Sequence, residues 1–144
     1  MKEETPPILI VEDNDDHAEL IKRSLNRNQV ANPVEHREDG ESALAYLREL
    51  ATGPAGGLPC LILLDVQLPQ ISGLDLLEKI KVDERFASIP AVMLSSSRAD
   101  SDVERAYAAG ANSYLVKPMD FAAFDRLMTD LGRYWLSWNV RPHR

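Results

Sequence analysis

Four short runs of apolar residues constrain the fold most: residues 8–11 (ILIV), 61–64 (LILL), 91–94 (AVML) and 114–116 (YLV). Each is too short for a helix. Each is also continuous rather than alternating, the pattern of a strand covered on both faces within a parallel sheet, so all four are read as central strands. A fifth candidate, residues 34–38 (VEHRE), follows Pro33 and alternates charged with other residues. That suits a sheet edge, where charge discourages pairing with another chain. Helical patterns lie between the strands, among them Ala18, Ile21 and Leu25 after Asn14, and Leu74, Leu77 and Ile80 after Gly73. Asn14 or Asp15 is placed to cap the first helix, with Asp16 and Glu19 in its early turns. Further helices are expected over about 41–50, 100–109 and 120–138. Strand followed by helix, five times over, predicts an α/β domain with right-handed crossovers and helices on both faces. With the charged second strand at an edge, the expected architecture is a flavodoxin-like (βα)5 doubly wound parallel five-stranded sheet in the order 2-1-3-4-5. The Gly- and Pro-rich segment 52–59 (TGPAGGLP) reads as a loop.

The chain has 144 residues, 44% of them hydrophobic, which fits one domain. The expected division is a flexible N-terminus at 1–6, the folded domain at 7–133 and an aromatic C-terminal extension at 134–144. Sixteen Lys and Arg against 23 Asp and Glu give a formal charge of -7, which disfavours binding to phosphate backbones, so no nucleic-acid partner is expected. Cys60 is the one cysteine and no apolar run follows Met1, so a reducing cytoplasmic location is expected. No apolar stretch approaches the ~20 residues that span a bilayer, so no membrane association is expected.

The residues that end the apolar runs carry chemistry. The first run ends in Glu12 and Asp13, the third strand in Asp65, the fourth in Ser95 and the fifth in Lys117. In a parallel sheet all of these lie at the carboxyl edge, where ligands bind in open α/β folds. Singly, each is an ordinary polar strand end; as a set they direct three carboxylates, a hydroxyl and an amine at one place. Three close carboxylates repel one another unless a cation offsets them. Oxygen ligands without His or Cys at these strand ends favour a hard ion, Mg²⁺ above others. Such a site suits phosphoryl transfer, with Asp65 as nucleophile, Lys117 and the metal neutralising phosphate oxygens, and Ser95 donating to one of them.

The ordered motifs ILIVEDN at 8–14, LILLDVQLPQISGLDLL at 61–77, IPAVMLSSS at 89–97 and AGANSYLVKP at 109–118 resemble the receiver domain of two-component response regulators. The resemblance implies that a sensor histidine kinase donates a phosphoryl group to Asp65. It implies Mg²⁺ held by Asp13, Asp65 and the backbone carbonyl of Gln67, with Glu12 assisting through water. It makes Ser95 the switch hydroxyl and Tyr114 the aromatic that moves with it, and gives Gln67 and Ser97 the tuning of phosphate hydrolysis. It also implies a cis peptide bond before Pro118. Glu12 stands where many receivers have Asp, which lengthens the reach of that carboxylate. The loop before Asp65 and the segment YWLSWN at 134–139 are similar to those of stand-alone regulators serving bacterial phytochrome-type kinases. A receiver of this kind is a switch that catalyses only its own phosphorylation and dephosphorylation; output, relay and phosphate-sink roles all remain open.

Phe121, Phe124, Leu127, Met128 and Leu131 recur at helical spacing and are assigned to the core. Tyr134, Trp135 and Trp138 continue the spacing past the expected helix end and form an exposed patch suited to homodimerisation. His17 and His36 read as solvated surface residues, Cys60 as a small core residue, and Gly73 as a turn residue without a chemical role. An aspartyl-phosphate phosphatase of the haloacid dehalogenase type is disfavoured, because it needs a second Asp two residues after the nucleophile, where Gln67 stands. A flavin or nucleotide binder is disfavoured because Glu12 and Asp13 place negative charge where a phosphate-cradling loop would lie.

Overall fold

The structure, a computed structural model, describes residues 5–53 and 57–140. Its elements run β1 (Ile8–Val11), α1 (Asp15–Arg27), β2 (Val34–Arg37), α2 (Gly40–Ala51), β3 (Leu61–Leu64), α3 (Gly73–Val82), β4 (Ala91–Ser95), α4 (Asp100–Ala108), β5 (Ser113–Val116) and α5 (Phe121–Gly132), followed by a π-helix, Arg133–Trp138. All strand pairs are parallel and the order is β2-β1-β3-β4-β5, as the sequence pattern predicts.

Every residue of β1, β3 and β4 is buried, and alternation along the strands explains why the apolar runs must be continuous. Leu9, Val11, Ile62 and Leu64 face one core with Leu47 of α2, Leu77 and Ile80 of α3 and Ala106 of α4. Ile8, Ile10, Leu61 and Leu63 face the other with Ile21 and Leu25 of α1 and Phe124, Met128 and Leu131 of α5. A polar residue at either set of positions would be buried without a partner. β5 stands at the edge that the predicted order gives it, paired with β4 alone, and is therefore half-buried throughout rather than covered on both faces as its apolar run suggests.

Most helix starts are capped by the residue before them. Asn14, Asp39, Ser72 and Asp120 accept the backbone N–H of His17, Ser42, Asp75 and Ala123 at 3.1, 2.8, 3.1 and 3.0 Å, each such cap contributing ~1 kcal/mol. α4 begins after Ala99 and has no side-chain cap.

The end of the chain departs from the helical spacing. Phe121 is not core: it is 52% exposed, with the Arg27 guanidinium 5.5 Å from its ring centroid. Beyond Gly132 the backbone widens into the π-helix, where Asn139 N–H donates to Tyr134 O at 2.6 Å. Trp135 and Leu136 fold back onto the α1/α5 core, and the Trp135 ring meets Tyr134 edge-on at 5.0 Å. Tyr134 and Trp138 stay 55% and 78% exposed. Residues 141–144 of the expected extension, 1–4 of the expected flexible N-terminus and 54–56 of the loop lie outside the described residues. Pro6 is tied down, its carbonyl accepting from Asn32 Nδ2 at 2.9 Å.

Gly73 proves to be a packing requirement of the acceptor loop. Its N–H donates to Val66 O at 2.8 Å, and a Cβ there would lie 1.8 Å from the Asp65 carbonyl oxygen. Backbone cannot yield as a flexible side chain can. Gly73→Ala is therefore expected to displace the turn after Asp65 and lower stability by at least ~2 kcal/mol, read by denaturant unfolding; an unchanged midpoint contradicts this close approach.

Candidate functional site

Hydrogen bonds of the sheet and its flanks set the site. At the end of β1, Glu12 N–H donates to Arg37 O at 3.0 Å and Glu12 O lies 2.7 Å from His36 Nε2. His36 is thus half-buried and engaged rather than solvated. Next to it, Asp65 N–H donates to Val11 O at 3.1 Å, aligning the end of β3 with that of β1. Glu12, Asp13 and Asp65 each offer a carboxylate oxygen, all within 4.8 Å of one another. Glu12 and Asp65 are 2% and 8% exposed, whereas Asp13 is open to solvent.

Lys117 arrives from the far edge. Its N–H donates to Ser95 O at 2.8 Å, extending the β4/β5 ladder by one residue. Its Nζ donates to Glu12 Oε1 and to Asp65 Oδ2 at 3.2 Å, and lies 3.1 Å from His17 Nδ1. Gln67 N–H donates to the other Asp65 oxygen at 3.2 Å. Burial raises the Glu12 carboxyl to about 7, against the opposing hydrogen bond and charge of Lys117, with the charge of Asp65 adding to the rise. Burial, then the Lys117 charge, lowers the His17 pKa, while Asp65, Asp16 and Asp13 oppose that shift.

An open cavity of about 240 Å³ lies here, lined by Glu12, Asp13, Asn14, His17, Asp65, Gln67 and Ser96. Three carboxyl groups share one ammonium, which leaves the cleft with an excess of acidic groups. This all-oxygen acidic donor set fits a hard divalent cation. Another cavity, of about 270 Å³, lies between residues 28–32 and the end of α5 with the π-helix, and no carboxylate lines it.

The predicted switch residues sit beside the cavity. Ser95 is fully buried and its Oγ accepts from Ser97 N–H at 3.2 Å. Tyr114 OH donates to Ser97 O at 2.9 Å, and Ser97 Oγ donates to Asp102 Oδ2 at 2.6 Å. Asp102, in the first turn of α4, was not singled out by the sequence, nor was His17 assigned to the site. The side chains of a helix's first turn lean back toward its N-terminus, here toward the carboxyl edge of the sheet; that was the available signal for His17. The expected cis bond before Pro118 is not present, since no peptide bond among the described residues is cis. The trans isomer is intrinsically preferred by ~0.5–1 kcal/mol before proline, and with it Lys117 already reaches Glu12 and Asp65.

A doubly wound domain with a cation-binding acidic cleft at its carboxyl edge is the class defined by this fold and site. Residues 8–129 match the response regulator receiver domain family, and the chain belongs to it. It is 44% identical over 135 residues to the probable methanogenesis regulatory protein FilR2 of Methanothrix harundinacea, covering 94% of this chain and 86% of that one. Response regulator Rcp1 of Synechocystis is 30% identical over 142 residues, with 97% of each chain covered, and its Mn²⁺-bound structure superposes with a TM-score of 0.86 at 29% identity, covering 95% of this chain and 99% of that one. The phosphorylated cyanobacterial phytochrome response regulator RcpA superposes with a TM-score of 0.88 at 32% identity, covering 96% and 99% of the two chains. Receiver domains are phosphoryl-accepting switches of two-component systems, partnered by histidine kinases, and bind a divalent metal in this acidic pocket. No helix among the described residues is long and apolar enough to cross a membrane.

A carboxyl raised by folding holds its proton more firmly in the folded chain. Its contribution to stability is fully present below about pH 4.5 and is lost as pH rises toward about 7. In chelator-treated protein, Glu12→Gln is expected to remove a stability decline on the order of 2–3 kcal/mol across that window. Denaturant titrations at several pH values read it, and equal slopes in the two proteins contradict the raised carboxyl.

Proposed function

We propose that Asp65 accepts a phosphoryl group from a sensor histidine kinase in a Mg²⁺-dependent reaction, and that the resulting change in surface is read by protein partners. The observation that carries this reading is the convergence of buried Asp65, Glu12 and Lys117 with solvent-open Asp13 at one edge of the sheet. An Asp65 carboxylate oxygen attacks phosphorus, the P–N bond to the donor imidazole breaks, and that imidazole leaves with the bond's electron pair. Gln67 N–H steadies one carboxylate oxygen, while Lys117, already on the other, turns to the transferred phosphoryl oxygens. Asp13, Asp65 and the Gln67 carbonyl, with Glu12 through water, would hold Mg²⁺, which supplies charge neutralisation of those oxygens.

Switching follows from the hydrogen bonds around Ser95. Ser95 is fully buried, so to reach a phosphoryl oxygen its side chain turns toward the cavity; that movement lengthens the bond its oxygen accepts from Ser97 N–H and loosens the loop that Tyr114 and Asp102 hold through Ser97. Phosphate binds this second arrangement better than the first and so shifts the population toward it. Gln67, at the cavity wall, and Ser97, in that loop, are placed to set how fast water removes the phosphate. The likeness to a phytochrome response regulator favours a phytochrome-type kinase as donor. The formal charge of -7 argues against nucleic acid as a direct partner, and a cytoplasmic location suits a kinase-fed receiver. The exposed rings of Tyr134 and Trp138, with half-buried Trp135 behind them, offer a homodimer contact.

Incubation with phosphoramidate and Mg²⁺ is expected to add one phosphate by intact mass, abolished in Asp65→Asn; equal uptake by that variant overturns the assignment. By light scattering, Trp138→Ala is expected to weaken self-association at least tenfold with an unaltered melting temperature, as suits an exposed contact residue. A dimer of unchanged strength removes the tail from the interface.

A further inference from the structure

Lys117 Nζ has three hydrogens to donate and three acceptors: Glu12 Oε1, Asp65 Oδ2 and His17 Nδ1. Two are carboxylates with jobs of their own. The third belongs to a residue whose sequence neighbourhood gives it no role, on the first turn of α1, where the Asn14 cap accepts its backbone N–H. His17 lines the same cavity as Asp65. An ammonium hydrogen aimed at Nδ1 requires the lone pair of that nitrogen, which puts the ring hydrogen on Nε2.

We propose that His17 is a positioning residue for phosphoryl transfer, holding the Lys117 ammonium at the cavity wall. The inference rests on Asp65 as acceptor and Lys117 as the group that meets the transferred phosphoryl. Two acceptors compete for the ammonium. Glu12 is buried beside the ammonium and accepts a hydrogen bond from it, so it competes for Lys117. Once Asp65 becomes an acyl phosphate, the bond from Lys117 to Asp65 Oδ2 gives way to the phosphoryl oxygens, and the ammonium is shared between those oxygens and Glu12. The imidazole is untouched by the reaction. Its 3.1 Å contact offers the ammonium a neutral second partner on the cavity side, so Nζ keeps one hydrogen committed there and another available to phosphate. His17 therefore acts through Lys117 without itself meeting phosphorus.

The test compares single-turnover phosphorylation by phosphoramidate, with saturating Mg²⁺, in the full chain and in His17→Leu, His17→Asn and His17→Gln. An Asn side-chain oxygen can stand where Nδ1 stands; Gln reaches instead to the place of Nε2. His17→Leu is expected to lower the maximal rate about tenfold, the size of one lost charge-assisted hydrogen bond, with the half-saturating donor concentration unmoved. His17→Asn is expected to restore most of the rate and His17→Gln little of it. Melting temperature and Mg²⁺ affinity by calorimetry should match the parent chain, which separates positioning from a structural effect. A parent chain that takes up no phosphate overturns the acceptor reading and this inference with it. Uptake by the parent at a rate that His17→Leu shares overturns the role of His17 alone. Should His17→Leu fail to fold, the Asn and Gln variants decide: equal rates in the two contradict the proposal, and a faster Asn variant supports it.

Discussion

Three carboxylates are gathered within 4.8 Å at the edge of a buried sheet, and the one lysine bonded among them offsets a single charge. Like charges at such separations repel by several kcal/mol where water is scarce, so the rest of the molecule has to hold them there. The parallel pairing of β1 with β3 does so by register. Val11 pairs with Leu64, so the next residues along both strands, Glu12 and Asp65, emerge together. The ladder from β4 to β5 carries Lys117 to the same edge. Helix N-termini also point to this edge in a doubly wound fold, and their partial positive charge favours anions. A divalent cation completes the balance, which is why an acidic receiver pocket and a metal belong together.

The same edge couples to the surface. From Ser95, buried beneath the cavity, hydrogen bonds run through Ser97 to Tyr114 on one side and to Asp102 of α4 on the other. α4 lacks a side-chain cap, and of its residues Ala106 alone is buried. Few apolar contacts and a start without a side-chain cap make it a lightly held element. Arg105 ties it to Asp75 and Glu78 of α3 through exposed ion pairs, of the kind that contribute little to stability. The proposed rearrangement at Ser95 would reach the α4 surface through these hydrogen bonds.

Much of this was legible in the sequence. The runs ILIV and LILL can be satisfied only between two covered faces, and the polar residues that end them follow as strand-end positions. Where the reading failed, the deciding physics was not local. Helical spacing reports a face and not its depth, so Phe121 looked like Phe124 but lies beyond the reach of the core. YLV reads as covered on both faces because apolar content does not report depth, although the predicted order already gives β5 one neighbour. The isomer before Pro118 depends on a preference of under ~1 kcal/mol that tertiary context decides. His17 meets Lys117 across 100 positions of sequence, and Gly73 is confined by backbone rather than by any side-chain partner. Contacts of that kind leave no periodic trace.

The central claim is that phosphate becomes covalently attached to the carboxylate of Asp65. Borohydride reduces an acyl phosphate to the alcohol and leaves ordinary carboxylates alone, so reducing the phosphorylated protein and sequencing its peptides by mass spectrometry reports the modified position. The account predicts homoserine at position 65 with Glu12 and Asp13 intact. Reduction at either of those neighbours, or phosphate retained with no reduced residue at 65, would contradict it.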